Sequence, residues 1–219
     1  NDKLDLNASV LVLSRNPEAL ENKAPHLYHH PAIRFLRGNV TSFDFPEGSF
    51  PYLIHSSVYQ QSADGRSSHV SLLNEMLTGT MRILDLCVQA KTRKMLLVSS
   101  GAIYGTVPPG LEEIAEDFPM ALDPTVSSGA YHHAKRMMES LSVIHAKEHG
   151  FEAKIARCFS FIGPYLQLNR GFAVSDFIRE ALSERRITVK GDGKAVRSYL
   201  YMADLAIWLW TILFKGTAC

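Results

Sequence analysis

An α/β fold, with a parallel sheet covered by helices on both sides, is what this sequence predicts, and three observations predict it. Short apolar runs alternate with longer segments of helical periodicity along most of the chain. Several of the short runs are apolar at nearly every position, the pattern of strands buried on both faces. A glycine, Gly150, stands where the best-marked helical stretch should stop, ready to take the left-handed conformation that ends a helix.

Taken in order, Ser9-Val10-Leu11-Val12-Leu13 reads as a buried strand and Ile33-Arg34-Phe35-Leu36 as a second. Tyr52-Leu53-Ile54-His55 is a third, short one. Residues 70–90 carry Leu73, Met76, Leu77, Met81, Leu84 and Cys87 at the spacing of an amphipathic helix. Met95-Leu96-Leu97-Val98 is a fully apolar strand, 130–149 is a helix closed by Gly150, and 153–159 is another strand. Past Gly163-Pro164 the texture changes to a loop, a helix near 172–183, a short strand at Ile187-Thr188-Val189 and the turn Gly191-Asp192-Gly193. A last helix runs from about 202 to 214. A boundary near residue 160 divides a nucleotide-binding core, 1–160, from the start of a substrate lobe, 161–219, whose last helix returns to the core.

Composition narrows the class. The 219 residues allow one large domain, or a domain and part of a second. With 46% hydrophobic and 21% charged residues the chain matches ordinary globular proteins, which argues against disorder. The net charge of +1 gives no excess of positive charge to follow a phosphate backbone, so no nucleic-acid partner is expected. No apolar run approaches the length of a membrane span, and Asn1-Asp2-Lys3-Leu4-Asp5 does not open a signal peptide, so no membrane partner is expected. Cys87, Cys158 and Cys219 are odd in number and widely spaced, which points to reduced thiols and a cytoplasmic protein. The pairs His29-His30 and His132-His133 point their side chains apart, with no carboxylate or cysteine spaced to join them, so no metal site is expected.

Chemistry enters with Tyr131-His132-His133-Ala134-Lys135. On a helix, positions i and i+4 share a face, so the phenol and the ammonium can address one small volume. A nearby cation favours the phenolate of a tyrosine that is otherwise a weak base at neutral pH, giving an acid/base group for a hydroxyl or carbonyl. Eight tyrosines and ten lysines in this chain produce about 0.4 such matches by chance, so the motif needs company. It has company: the strand 95–98 runs into Ser99-Ser100-Gly101-Ala102-Ile103-Tyr104-Gly105, and the carboxyl end of a strand is where open α/β sheets carry their sites.

These blocks, with Leu77-Thr78-Gly79-Thr80, Arg157-Cys158-Phe159-Ser160-Phe161-Ile162-Gly163-Pro164 and Arg197-Ser198-Tyr199-Leu200-Tyr201-Met202-Ala203-Asp204 after Gly191-Asp192-Gly193, fall in one family's order. Together they resemble the extended short-chain dehydrogenase/reductase family, the nucleotide-sugar epimerases and dehydratases, over nearly the whole chain. The resemblance implies a Rossmann-like doubly wound parallel sheet with the start of a smaller α/β substrate lobe. It implies that Tyr131 is the acid/base, that Lys135 holds the nicotinamide ribose and lowers the tyrosine pKa, and that Ser100 is the hydroxyl partner. Arg197 matches the arginine that grips the substrate diphosphate, for which a planar donor fork is suited. Ser160 stands where the family usually has an asparagine touching the nucleotide sugar.

On the cofactor side, Asn39 in Gly38-Asn39-Val40 replaces the aspartate that contacts adenine, and His55 and Ser57 mark the strand end that lies under the cofactor. Ser14 and Arg15 end the second family strand, where NAD-specific members carry an acidic residue for the ribose 2′-hydroxyl. The cofactor is therefore NAD or NADP, with a lean to NADP because nothing acidic repels a 2′-phosphate. Met76 stands at a helix position where related enzymes often carry an asparagine. Ser100-Gly101-Ala102 replaces the Thr-Asp-Glu run of dehydratases, which removes the carboxylate an elimination needs. The resemblance thus favours a nucleotide-sugar epimerase, with a keto-reductase, dehydratase, decarboxylase or non-catalytic NAD(P)-binding scaffold as alternatives. It also implies a homodimer through the helices at 70–90 and 130–149.

One family feature has no counterpart here. The family opens with a strand, a GxxGxxG turn and a helix, and no such turn occurs in these residues. Residues 1–7 resemble the loop after that helix and 9–13 its second strand, so the sequence reads as an incomplete member that also stops before the rest of the substrate lobe. In the family's strand order 3-2-1-4-5-6, the strands at 9–13 and 52–55 flank strand 1. They are therefore expected not to pair with each other.

Overall fold

Each of the first five apolar runs finds a parallel partner. In the computed structural model, which describes residues 7–57, 68–105, 110–111, 113–119, 123–168, 171–189 and 191–219, β1 (Val10–Ser14) pairs with β2 (Ile33–Arg37), Val10 opposite Ile33. The loop expected at 1–7 lies outside the described residues except for Asn7. Two short helices, α1 (Glu18–Glu21) and α2 (Pro25–Tyr28), carry the crossover. A second parallel sheet has the order β3 (Tyr52–His55), β4 (Lys94–Ser100), β5 (Glu152–Cys158). Its connections are helices, α3 (His69–Gln89) between β3 and β4 and α4 (Ala130–His149) between β4 and β5. Among the described residues β1 and β3 do not pair, as the family strand order predicts.

Helices lie on both faces of β4, which is why its residues are apolar in succession. Met95 and Leu97 enter a core with Met76, Ile83, Leu84 and Cys87 of α3 and Ala134, Met138 and Ala146 of α4. Leu96 turns the other way, as alternate strand residues must, and packs with Ala156 of β5 on Leu213 of α6 (Met202–Lys215). Each such buried leucine contributes roughly 1.5–3 kcal/mol. Leu13 of β1 and Leu36 of β2 pack on the α3–α4 core, so the two sheets share it. The helices are placed by their ends. Ser68 accepts a hydrogen bond from the Ser71 N–H at 3.0 Å to start α3, and Gly150, at φ 75°, ends α4.

Beyond residue 160 the chain makes α5 (Ala173–Leu182) and a two-stranded parallel sheet of β6 (Ser160–Ile162) and β7 (Tyr199–Tyr201). The strand expected at 187–189 does not form. Ile187 and Val189 are 49% and 57% exposed, and the Thr188 N–H donates to the Glu180 carboxylate at 2.9 Å instead of to a neighbouring strand. Beta propensity without a surface to bury against does not hold a strand. α6 returns to the larger sheet, where Lys94 Nζ donates to the Phe214 carbonyl near its C-terminus at 2.9 Å. No helix among the described residues is long and apolar enough to cross a membrane.

Candidate active site

The carboxyl ends of β1, β2 and β3 all meet one stretch of α3. Arg15, just past β1, lies 4.0 Å from Glu75. Gly79, in the middle of α3, faces Val40, just past β2, so closely that a Cβ there would stand 2.8 Å from a Val40 methyl. His55, the last residue of β3, bonds Thr80 at 3.1 Å. The sequence-predicted cofactor residues Ser14, Arg15, Asn39, His55 and Ser57 thus fall along one rim of the fold. Ser14 Oγ accepts from the Asn16 N–H, and the Asn39 amide oxygen accepts from both the backbone N–H and the hydroxyl of Thr41, at 3.1 Å each.

His55 is buried, and burial, followed by the charge of Lys135, pushes its pKa down to about 3. It is therefore neutral. The Thr80 hydroxyl donates its proton to the Met76 carbonyl at 2.8 Å, so it accepts from His55 Nε2–H. That fixes the tautomer and leaves Nδ1 as an acceptor.

The other end of the rim is built by β4, β5 and α4. Ser100 closes β4, and its hydroxyl oxygen caps the following turn by accepting the Ala102 N–H at 3.1 Å. The turn passes so close to Phe159 that a Cβ at Gly101 would lie 2.5 Å from the ring, which only glycine avoids. The Ser100 hydroxyl stands close enough to the Tyr131 phenol to favour its phenolate. One turn along α4, Lys135 Nζ sits 5.9 Å from the Tyr131 ring centre and donates to the Val98 carbonyl at 2.9 Å. The three residues expected to form the reacting group are therefore brought together. Two N–H donors of Lys135 are left beyond the one given to Val98, a number that suits the paired hydroxyls of a ribose.

The electrostatics differ from the expectation that Lys135 lowers the tyrosine pKa. Burial dominates and holds the Tyr131 phenol above its ordinary value, the Ser100 hydroxyl offsetting it in part and Cys158 adding to it. Burial also lowers Lys135, against the pull of Cys158 and Glu139. The phenol is thus protonated at neutral pH. Cys158, opposite Ser100 in the register of β4 and β5, was not foreseen as a neighbour of this pair. Burial raises its thiol, with Lys135 opposing.

Ser160 opens β6 two residues beyond Cys158, and its partner across the small sheet is Tyr199. Arg197 lies two residues before Tyr199, so both substrate candidates belong to this sheet. Arg197 is exposed, and its Nη1 donates to the Val196 carbonyl at 2.8 Å. It is not drawn into contact with Ser100 or Tyr131.

The model of the NAD dependent epimerase/dehydratase family matches residues 3–218. UDP-glucuronic acid decarboxylase 1 of Xenopus tropicalis is 31% identical over 136 residues, 62% of this chain and 32% of that protein. The chain spans about a third to a half of the length of the curated relatives it matches. Among solved structures, UDP-N-acetylglucosamine 4-epimerase from Methanobrevibacter ruminantium matches with a TM-score of 0.80 at 16% identity, over 96% of this chain and 66% of that one. UDP-glucuronic acid 4-epimerase from Bacillus cereus matches with a TM-score of 0.77 at 18% identity, over 99% and 68%. At these identities the solved structures speak for the fold.

Proposed function

This chain belongs to the NAD-dependent epimerase/dehydratase family, and from that premise we propose that it serves a nucleotide-sugar epimerase, oxidising a sugar hydroxyl to a ketone and reducing it from the other face. The observation that carries the proposal is the meeting of Ser100, Tyr131 and Lys135 at the ends of β4 and α4. Bound NAD supplies the hydride acceptor and then the donor. The free phenol of Tyr131 is protonated at neutral pH and must first release its own proton; the phenolate then takes the hydroxyl proton as the carbonyl forms, and the phenol so formed returns it as the carbonyl is reduced. Ser100, its oxygen already accepting the Ala102 N–H, has its own proton to donate to the reacting oxygen. Lys135 stands beside the phenol, and its donors beyond the one given to Val98 would hold the ribose of the cofactor.

Ser14, Asn39, His55 and Ser57 belong to the cofactor rim in this reading, while Ser160 and Arg197 take the nucleotide-sugar side. Glu75 beside Arg15 partly neutralises that arginine, which favours NAD over the NADP that the sequence leans to. A homodimer through α3 and α4 fits the exposure of Val70, Val88, Met137 and Ile144.

A second reading is decarboxylation, favoured by the names of the curated relatives. A ketone next to the carbon that bears a carboxylate is a β-keto acid, which loses carbon dioxide, so the same three residues serve both outcomes on a uronic acid. Dehydration is less well served, since Gly101, Ala102 and Ile103 put no carboxylate between Ser100 and Tyr104.

The test is incubation with NAD and UDP-glucuronic acid, then with UDP-glucose and UDP-N-acetylglucosamine, reading products by mass and proton NMR. An inverted carbon at unchanged mass is the expected result, and loss of carbon dioxide selects the second reading. Absence of turnover on all three overturns both. Tyr131→Phe is expected to lower turnover by ~10²–10⁴-fold, the usual worth of an acid/base group, with NAD affinity nearly unchanged. A mutant keeping more than about a tenth of the activity removes Tyr131 from that role.

A further inference from the structure

Helix α4 is fastened to the end of β4 by three consecutive residues. The Val98 carbonyl accepts from Lys135, the Ser99 hydroxyl donates to Glu139 at 2.5 Å, and the Ser100 hydroxyl stands close enough to Tyr131 to act on its phenol. Tyr131, Lys135 and Glu139 follow one another at i, i+4 and i+8, so one face of α4 carries all three. The middle fastening differs from the others because it continues away from the reacting group. Glu139 is buried, and its carboxylate is gripped by the fork of Arg157, from Nη2 at 2.9 Å and from Nε at 3.2 and 3.3 Å. Arg157 Nη1 then donates to the Tyr104 hydroxyl at 2.9 Å and to the Glu116 carbonyl at 2.5 Å. Two side chains thus join α4, β4, β5, the turn after Ser100 and the loop at 116.

We infer that Glu139 and Arg157 are a positioning pair that locks α4 against the ends of β4 and β5 and so sets the approach of Tyr131 to Ser100. The inference rests on the acid/base reading of Tyr131 given above and adds residues that reading does not use. Neither member reaches the reacting oxygen; both act through the three residues that do. A shift of about 1 Å at a reacting group can cost ~10²-fold in rate, so a helix fastened on one side only would turn over slowly even when folded. Charge adds a second signature. The titratable and charged groups beside the phenol are Lys135 and His132 on α4 and Cys158 on β5, while His55 on β3 faces Lys135, and Arg157 on β5 with Tyr104 in the turn stands one contact further out, on the Glu139 side. Removing the carboxylate leaves this surrounding more positive and favours the phenolate; removing the guanidinium does the reverse.

The test compares Glu139→Gln, Arg157→Met and Arg157→Lys in the NAD-loaded protein. Glu139→Gln and Arg157→Lys are expected to lower kcat by roughly 10–100-fold per folded molecule while KM for the nucleotide sugar changes little. A second arm needs no substrate. The Tyr131 phenol is titrated by phenolate absorbance, as the difference between each variant and the same variant carrying Tyr131→Phe. Glu139→Gln should move it to lower pH and Arg157→Met to higher pH, each by roughly half a unit or more, while Arg157→Lys leaves it in place. If the unmutated protein turns over no nucleotide sugar, the functional reading fails but this titration still decides the pair. Should Glu139→Gln fail to fold, Ser99→Ala removes one fastening only and is expected to lower kcat with the phenol titration unmoved. Variants that lose thermal stability yet keep unmutated kcat and an unmoved phenol overturn the inference, because that is the pattern of a brace with no bearing on the reacting group.

Discussion

His55 takes no proton in the folded protein until pH falls to about 3, whereas an unfolded chain protonates it near its ordinary 6.5. The neutral imidazole therefore supports the fold fully above pH 6.5, and this support is lost as pH falls from there toward 3, at about 1.4 kcal/mol for each pH unit. The expected outcome is a melting temperature that drops between pH 6.5 and 4.5. In His55→Gln, which keeps a donor for Thr80, the drop should be shallower by one proton's worth. An unchanged slope in the variant would show that another group carries the acid sensitivity. At this scale the sequence was informative where one short motif holds the candidate site. Tyr131 and Lys135 are four apart on one helix, and Ser100 ends an apolar strand, so their meeting could be read directly. Glu139 and Arg157 were not legible, because their contact crosses from helix to strand over 18 positions and no local period announces it. The raised phenol was not legible either, since burial decides its sign and burial belongs to the fold.

Secondary structure was legible wherever apolar spacing and an end signal agreed. The helix expected over 130–149 forms with those bounds because Gly150 stops it, and the paired strands differ from expectation by only a residue or two at their ends. Residues 187–189 had the residue types of a strand but no edge to join, which a propensity reading cannot see. Helix α3 shows a related conflict between local and tertiary preference at Gly79. Alanine in a helix interior is favoured over glycine by roughly 1 kcal/mol. Here, however, the added Cβ would stand 2.8 and 3.3 Å from the two Val40 methyls and 3.6 Å from its Cβ, so a short branched side chain would have to move as a whole. Overpacking of this kind costs about 1–3 kcal/mol, more than the helix gains. Gly79→Ala is therefore expected to lower stability in chemical denaturation, and Val40→Ala added to it should restore most of the loss. A stabilised single mutant would show that the end of β2 yields freely to α3.

At the scale of the molecule, one apolar face stays uncovered: Ile207, Trp208 and Trp210 of α6 are 64%, 61% and 45% exposed although the opposite side of that helix packs on β4 and β5. The topology has a matching feature, because β1 pairs only with β2 and β3 only with β4 among the described residues. Each keeps one side of its backbone without a strand partner, while Leu13 of β1 and Leu53 of β3 pack on the same core. Strands that share a core and stand second and fourth in a doubly wound order should be joined by the strand that lies between them. Unmet backbone groups cost roughly 1–3 kcal/mol each when buried, so a few of them rival the ~5–15 kcal/mol that holds a whole domain. A polypeptide of these 219 residues is therefore expected to melt at a lower temperature than one that carries such a strand, and to bind more of a dye that reports exposed apolar surface. Joining to its start a strand, glycine turn and helix taken from a full-length member of the family should raise the melting temperature and quench the dye. The same unit added as a separate chain should do so more weakly, in proportion to its concentration. An unchanged melting temperature and dye signal on adding the unit would mean that β1 and β3 need no strand between them.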